Sequence, residues 1–363
     1  MSRRYYLGLN AGGPGGFKCL FTHGRKKDLN ILTWILGERY QGRAILTKNG
    51  RSALTLALKS YFDKGDKIIV NGFTCFAVYE AVLKAGMKPV FADINEKDLN
   101  FDTKTLKKAL EKGVKGVIVQ NSLGNPVDIK SIENFCKKNK LVIIEDLAHL
   151  VGGEYPDGRE IGTVGAATAF SFGKDKAINT ISGGALVLRA PVKHEIKAPF
   201  KIPRFSDYLR ARFYGVFCGM CRGLNKIHLG GPLMRCFIKI HWVEKSADSK
   251  LDITRRLAKF QARMAIKQFE QPKSNKREFC LVKDQKEVLN KLKKSKYFFD
   301  SFWYEKPVSP ERYYQKVHFP EDQCPVAVKV CGEIINLPTY YDEASLAPAK
   351  KIIKPYLVGG KNG

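Results

Sequence analysis

Between residues 45 and 190, short apolar runs alternate with longer stretches whose apolar residues recur every three or four positions. The runs at 67–70, 89–94, 116–121, 141–146, 168–172 and 184–188 have the length and continuous apolar character of strands covered on both faces. Between them the spacing predicts helices near 51–62, 75–86, 103–112 and 129–139. Leu106, Ala109 and Leu110 share one helical face, as do Ile132, Phe135 and Cys136. Such alternation predicts an α/β fold: a mostly parallel central sheet with helices on both faces and ligands at the carboxyl ends of its strands.

After residue 190 the pattern changes. Residues 191–250 carry twelve Lys or Arg against four Asp or Glu, interleaved with Phe200, Phe205, Tyr208, Phe213, Tyr214, Phe217, Phe237 and Trp242. Residues 251–363 open on a helical pattern (Leu257, Phe260, Gln261, Met264, Ala265, Gln268) and end in a mixed segment with Ile334 to Thr339. The expected organisation is a large α/β domain over 1–190 with an N-terminal arm, a basic aromatic-rich insertion over 191–250, and a smaller C-terminal α/β domain over 251–363.

Composition narrows the class. The chain has 363 residues, is 44% hydrophobic and contains 22 Phe, enough for a large core. No run approaches the ~18 apolar residues of a spanning helix. The start, Met1-Ser2-Arg3-Arg4, has no export signal, and nine irregularly spaced cysteines read as reduced thiols, so a cytoplasmic protein is expected. Sixty-three basic against 35 acidic residues give a net charge of +28, which attracts polyanions or an anionic membrane surface. The basic residues are spread along the chain without zinc-finger, RNA-binding or basic-helix signatures, so nucleic acid is not an expected partner.

Four groupings carry chemistry. Asn49-Gly50-Arg51-Ser52 leads into a helix, whose N-terminus seats a phosphate or is simply capped. Asp146 closes an apolar strand, with His149 three residues on; a carboxylate there holds a pyridine nitrogen protonated, or caps a turn. Another strand delivers Ser171 to the same edge of the sheet, and Lys176 lies five residues later in a loop of small residues; a lysine amine there condenses with an aldehyde, or is surface charge. Cys218 and Cys221 have ligand-like spacing, with His228, Cys236 and His241 following. The irregular spacing and apolar neighbours read as core cysteines, and no metal is expected.

In order, Gly50-Arg51-Ser52-Ala53-Leu54, Phe73-Thr74, Gly124-Asn125-Pro126-Val127-Asp128, Glu145-Asp146 with His149, Phe170-Ser171-Phe172 with Lys176, and Gly183-Gly184-Ala185 resemble the DegT/DnrJ/EryC1/StrS family of pyridoxal-phosphate-dependent sugar aminotransferases. The resemblance covers roughly 40–190 and returns at 256–262 and 336–338. It implies a fold-type I transferase acting as a homodimer. It makes Lys176 the cofactor-holding lysine, whereas Lys174 falls where the family varies. Asp146 becomes the partner of the ring nitrogen and His149 the neighbour of the ring hydroxyl. Ser171 becomes a phosphate contact beside Gly50, Arg51 and Ser52, and Asn121 takes a position where the family often has His. Phe76 or Cys75 stacks on the ring, and of these only Phe76 is aromatic.

Thr254 departs from the pattern, standing where an Asn reaches the neighbouring subunit's phosphate. The same resemblance implies L-glutamate as donor and a nucleotide-linked keto sugar as acceptor, for a surface polysaccharide or glycosylated metabolite, with Arg256, Arg255 and Lys259 anchoring the diphosphate. Two other readings stand beside it. One is a sugar dehydratase, whose relatives replace the lysine by His. The other is a membrane-surface protein that kept the fold without catalysis, which the basic 191–250 segment suggests.

Overall fold

A computed structural model describes residues 14–174, 176–199, 201–224, 229–243, 248–270, 278–294, 304–337 and 343–358. Asp175, Phe200, His228, Pro338 and Thr339 lie outside the described residues.

The strands are β1 (Arg43–Thr47), β2 (Lys67–Asn71), β3 (Thr74–Cys75), β4 (Lys88–Ala92), β5 (Val114–Gln120), β6 (Val142–Asp146), β7 (Ala167–Ser171), β8 (Gly184–Leu188), β9 (Phe279–Leu281), β10 (Val308–Ser309) and β11 (Ile334–Asn336). The helices are α1 (Pro14–Phe21), α2 (Lys26–Arg39), α3 (Gly50–Tyr61), α4 (Phe76–Ala85), α5 (Thr103–Ala109), α6 (Ile129–Lys138), α7 (Phe205–Leu224), α8 (Gly230–Lys239), α9 (Lys259–Phe269), α10 (Gln285–Lys294), α11 (Glu311–Tyr314), α12 (Pro325–Glu333) and α13 (Glu343–Ile353).

Seven strands form the central sheet in the order β1-β8-β7-β6-β5-β2-β4. The pairs β7-β6, β6-β5, β5-β2 and β2-β4 are parallel, and β8 runs antiparallel to both neighbours. The sheet is therefore mostly parallel, as the alternating pattern predicts. Strand β1 is missing from the sequence-based set because Ile45 and Leu46 are its only large apolar residues, too few to stand out as a run.

The faces of the sheet are separate cores. Ile118, Ile144 and Ala169 pack with α3 and α4 on one face. Val117, Val119, Ile143 and Phe170 pack with α2, α6 and α9 on the other. Alternation along a strand then fixes where its last residues go. Gln120, Asp146 and Ser171 each lie two positions beyond a residue of the first face, so all three turn to the face that α3 and α4 cover. Glu145 goes to the opposite face, where it is fully buried, 3.2 Å from Arg189, and accepts the Tyr155 hydroxyl and the N–H groups of Gly162, Val164 and Gly165. That network pins the 155–165 turn. Losing either charge would strand the other in the interior, a loss of about 3–5 kcal/mol.

The cores divide the chain differently from the sequence boundaries. Helix α9 packs through Ala262, Ala265, Ile266 and Phe269 into the large domain, although it follows residue 250. Tyr304, Val308, Val317, Ala327 and Val330 also belong to that domain's first core. The separate smaller core comprises Val282, Val288, Leu292, Ile335, Leu337, Ala349 and Ile353, under the antiparallel pair β9-β11 with α10 and α13. The 191–250 segment folds into α7 and α8 around Tyr214, Cys218, Cys221, Phe237 and Val243. Among the described residues, no helix is long and apolar enough to cross a membrane, and no group of three or more His, Cys, Asp and Glu could hold a metal ion.

Candidate active site

The carboxyl ends of β5, β6 and β7 meet the N-terminus of α3. Asn49 caps that helix by accepting the Ser52 N–H at 2.8 Å. The first N–H groups of a helix have no intrahelical acceptor and carry its positive dipole end, so they bind anions. Gly50 brings this end against Ser171. A Cβ at position 50 would lie 2.6 Å from the Ser171 Cβ and 3.0 Å from its hydroxyl oxygen. The helix start and the Ser171 hydroxyl are thus adjacent donors suited to a phosphate.

Asp146 faces Ala169 across the β6-β7 ladder, two residues before Ser171. The carboxylate and the seat are therefore separated by about 7 Å of strand, the scale of one substituted ring. Asp146 is 7% exposed. Its Oδ2 accepts Gln120 Nε2 at 3.0 Å and its Oδ1 accepts the Ala148 N–H at 3.0 Å. The Gln120 amide is oriented in turn, because its Oε1 accepts the Thr74 hydroxyl at 2.7 Å. Burial raises the Asp146 pKa above the usual carboxylate range, opposed by the Ala148 N–H, the Lys176 charge and the Gln120 amide. No ion pair closes on Asp146 among the described residues. A buried carboxylate with amide donors but no ion pair is a seat for a ligand cation.

Lys176 lies in the loop joining β7 to β8, its N–H donating to Gly173 O at 3.1 Å. The loop is closed by Thr180 N to Phe172 O at 3.0 Å and Phe172 N to Gly183 O at 2.9 Å. Two glutamines of α9 hold it from outside. Gln261 Nε2 donates to Ser182 O at 2.8 Å, and Gln268 accepts the Asn179 N–H at 2.8 Å and donates to Asn179 O at 2.9 Å. Lys174 points away, its Nζ 5.2 Å from the Tyr214 ring centroid on α7. The electrostatic link from this loop to Asp146 runs through Lys176.

The remaining sequence-derived residues fall as follows. His149 is buried, its Nδ1 accepting the Leu123 N–H at 3.1 Å. That bond fixes Nδ1 as the acceptor and leaves the ring proton on Nε2, 3.0 Å from the buried Tyr304 hydroxyl. Asn121 turns away from the sheet end to accept the Val127 N–H at 3.1 Å. Phe76, at the start of α4, stacks on Tyr313 with centroids 4.4 Å apart, and Cys75 is its N-cap.

Over α3 lies the chain's own 248–256 segment. Arg51 pairs with Glu80 and donates to Ser249 O at 2.7 Å. The Ser52 hydroxyl is shared with the Asp252 backbone, 3.1 Å from its carbonyl oxygen and 3.2 Å from its nitrogen. The Thr254 hydroxyl donates to Asp252 Oδ1 at 2.7 Å, so Thr254 reaches Ser52 of its own chain through Asp252. Burial opposes the Asp252 charge, but the Thr254 hydrogen bonds with Lys48 and Arg255 outweigh it and hold that carboxyl below the usual range. The Arg256 backbone N–H donates to Lys201 O at 3.1 Å; its half-buried guanidinium makes no ion pair among the described residues.

The anion seat at Gly50 and Ser171, the buried Asp146 and the adjacent Lys176 fit pyridoxal phosphate: a phosphate at one end, a ring nitrogen at the other, an aldehyde between. Gly50→Ala is expected to weaken cofactor binding at least about tenfold, because its methyl group must displace Ser171. Fluorescence titration with pyridoxal phosphate would measure this; unchanged affinity would remove position 50 from the seat.

Gln120, Tyr304, Gln261 and Gln268 were not among the sequence candidates for the site. Gln120 directly precedes the Asn121 that was chosen. Gln261 and Gln268, seven residues apart on an otherwise apolar helical face, were visible as polar exceptions. Tyr304 gave no local signal.

The model of the DegT/DnrJ/EryC1/StrS aminotransferase family matches residues 38–354. The chain is 32% identical over 150 residues to a GDP-perosamine synthase of Vibrio cholerae, covering 41% of each. It is 30% identical over 198 residues to a UDP-4-amino-4,6-dideoxy-N-acetyl-beta-L-altrosamine transaminase of Helicobacter pylori, 53% of this chain and 51% of that one. The chain thus spans about half or less of the length of these relatives. Among solved structures, the Helicobacter pylori aminotransferase PseC shares the fold with a TM-score of 0.65 at 18% identity, over 93% of this chain and 94% of that chain. An E. coli GDP-4-keto-6-deoxy-D-mannose-3-dehydratase shares it with a TM-score of 0.65 at 15% identity, over 96% and 99%.

Proposed function

The chain belongs to the DegT/DnrJ/EryC1/StrS aminotransferase family, and on that premise we propose that it moves an amino group from an amino acid to a keto sugar carried on a nucleotide. L-Glutamate is the proposed donor, pyridoxal phosphate the cofactor, and a homodimer in the cytoplasm the working form. The observation that carries this reading is the buried Asp146, oriented by Gln120 and Ala148 and coupled to Lys176, beside the seat at Gly50 and Ser171.

When bound, pyridoxal phosphate supplies an aldehyde for the amine and a ring that delocalises electrons. The residues do the rest. Gly50 and Ser171 would hold the phosphate end, with Ser52 bound to Asn49 and Asp252 behind them, and Asp146 would keep a proton on the ring nitrogen. His149, fixed by Leu123 and Tyr304, lines the ring's polar edge. Lys176 would retain the cofactor, and its amine would serve as the base that takes the proton from the donor's α carbon and as the acid that returns it one carbon away. A lysine at 176 favours transamination over dehydration, whose relatives carry His there. That distinction matters because the fold is shared with a dehydratase.

A nucleotide diphosphate brings about two negative charges, which a chain of net charge +28 attracts. Arg256 is the proposed anchor, with Lys259 beside it, since Arg255 is already bound to Asp252 at 3.1 Å. Amino transfer from glutamate to a panel of keto sugars tests this. At least tenfold higher kcat/KM, about 1.4 kcal/mol, is expected for the nucleotide-linked forms. Equal rates for the free sugars would remove the nucleotide from the assignment and leave the transaminase standing.

A further inference from the structure

We propose that the outward face of α7 is a docking surface for an anionic phospholipid membrane. Helix α7 is apolar on two sides. One side, through Tyr214, Cys218 and Cys221, is filled by Phe237 and Leu233 of α8. At about 100° per residue, Phe205, Leu209, Phe213, Val216 and Met220 fall within about 80° of one another on the opposite side. That side should be polar if it faced only water. Instead Phe205 is 75% exposed, Met220 49% and Phe213 40%. Arg212 extends the patch by donating to the carbonyls of Cys19, Leu20 and Thr22, which places Phe21, 72% exposed, at its border. Trp242, half-exposed and stacked on Phe237, stands where α8 ends.

Charge selects the occupant. The α7 stripe contains no carboxylate. The one acid of the helix, Asp207, points to the other side and pairs with Lys48 at 3.0 Å. Lys201 and Arg204 stand exposed just before the stripe begins, and Arg235 and Lys239 are exposed on α8. A second copy seated on this face would set its own rim of Lys and Arg against this one. An anionic leaflet complements it: aromatic and aliphatic side chains enter the headgroup boundary, and basic side chains meet phosphates. The element lies on the membrane and does not cross it.

The test is independent of the reaction. The full chain is sedimented with vesicles of phosphatidylcholine alone, or of phosphatidylcholine and phosphatidylglycerol in equal parts, at low and high salt. Binding is expected to the anionic vesicles, weakened by salt. The double variant Phe205→Asp, Phe213→Asp should lose at least about tenfold in affinity, whereas Trp34→Asp, an exposed aromatic of α2, should bind like the parent. Two outcomes would overturn the proposal: no binding to anionic vesicles, or equal binding to neutral ones. So would a double variant that binds vesicles normally but changes the sedimentation mass of the protein, because the face would then belong to a second copy.

Discussion

Lys176→Ala is expected to abolish amino transfer, with turnover below detection, while Lys174→Ala retains most of it. The two lysines are two residues apart in one loop, and the structure separates them. Lys174 rests over the Tyr214 ring, whereas the charge of Lys176 acts on Asp146. A lysine that must release the cofactor and then move a proton has no substitute when truncated to a methyl group, because both functions reside in one amine. The check is steady-state turnover of both variants together with their cofactor content. Retained activity in Lys176→Ala would remove that lysine from the reaction. Lost activity in Lys174→Ala alone would shift the site by two residues.

Asp146→Asn is expected to lower kcat at least about a thousandfold, ~4 kcal/mol of barrier, while cofactor still binds. A neutral amide accepts hydrogen bonds but does not hold a ring nitrogen protonated, so electron delocalisation is lost. Gln120→Leu, which removes the oriented amide from Asp146, is expected to move in the same direction by a smaller factor. The cofactor-free proteins should differ in the opposite sense. Burial raises the Asp146 pKa, so the folded state favours the protonated acid. The stability this group contributes is present below the ordinary carboxylate range and is lost as pH rises through the raised value. Cofactor-free Asp146→Asn should therefore melt above the cofactor-free parent at neutral pH and converge with it in acid. Near-parental turnover would detach Asp146 from the ring nitrogen, whatever the melting curves show.

Much of this arrangement was visible in the sequence, because parallel strands covered on both faces leave continuous apolar runs. Six of the seven strands of the main sheet lay in those runs, with Asp146 closing one and Ser171 near the end of another. What the runs could not supply was parity. Gln120 and Asn121 are neighbours, and one residue along a strand reverses the side chain's direction. β5 ends at Gln120, which shares the face of Asp146, and Asn121 already belongs to the next turn. Tertiary contacts were equally hidden. Nothing local shows that α9 holds the lysine loop through Gln261 and Gln268, or that Tyr304 returns to His149 across 155 positions. Thr254 stands where the family resemblance implies a contact to a partner's phosphate, and its contact within the chain was hidden too. Its hydroxyl bonds Asp252 of its own chain, beside Ser52.

The central claim is that Lys176 holds pyridoxal phosphate in an enzyme that draws amino groups from glutamate. Borohydride reduction of the cofactor-loaded protein, followed by peptide mapping, tests it most directly. The expected result is one reduced pyridoxyl group on Lys176, with labelling prevented when L-glutamate is added first and 2-oxoglutarate released. A label on Lys174, or the absence of any label on the cofactor-loaded chain, would contradict the account.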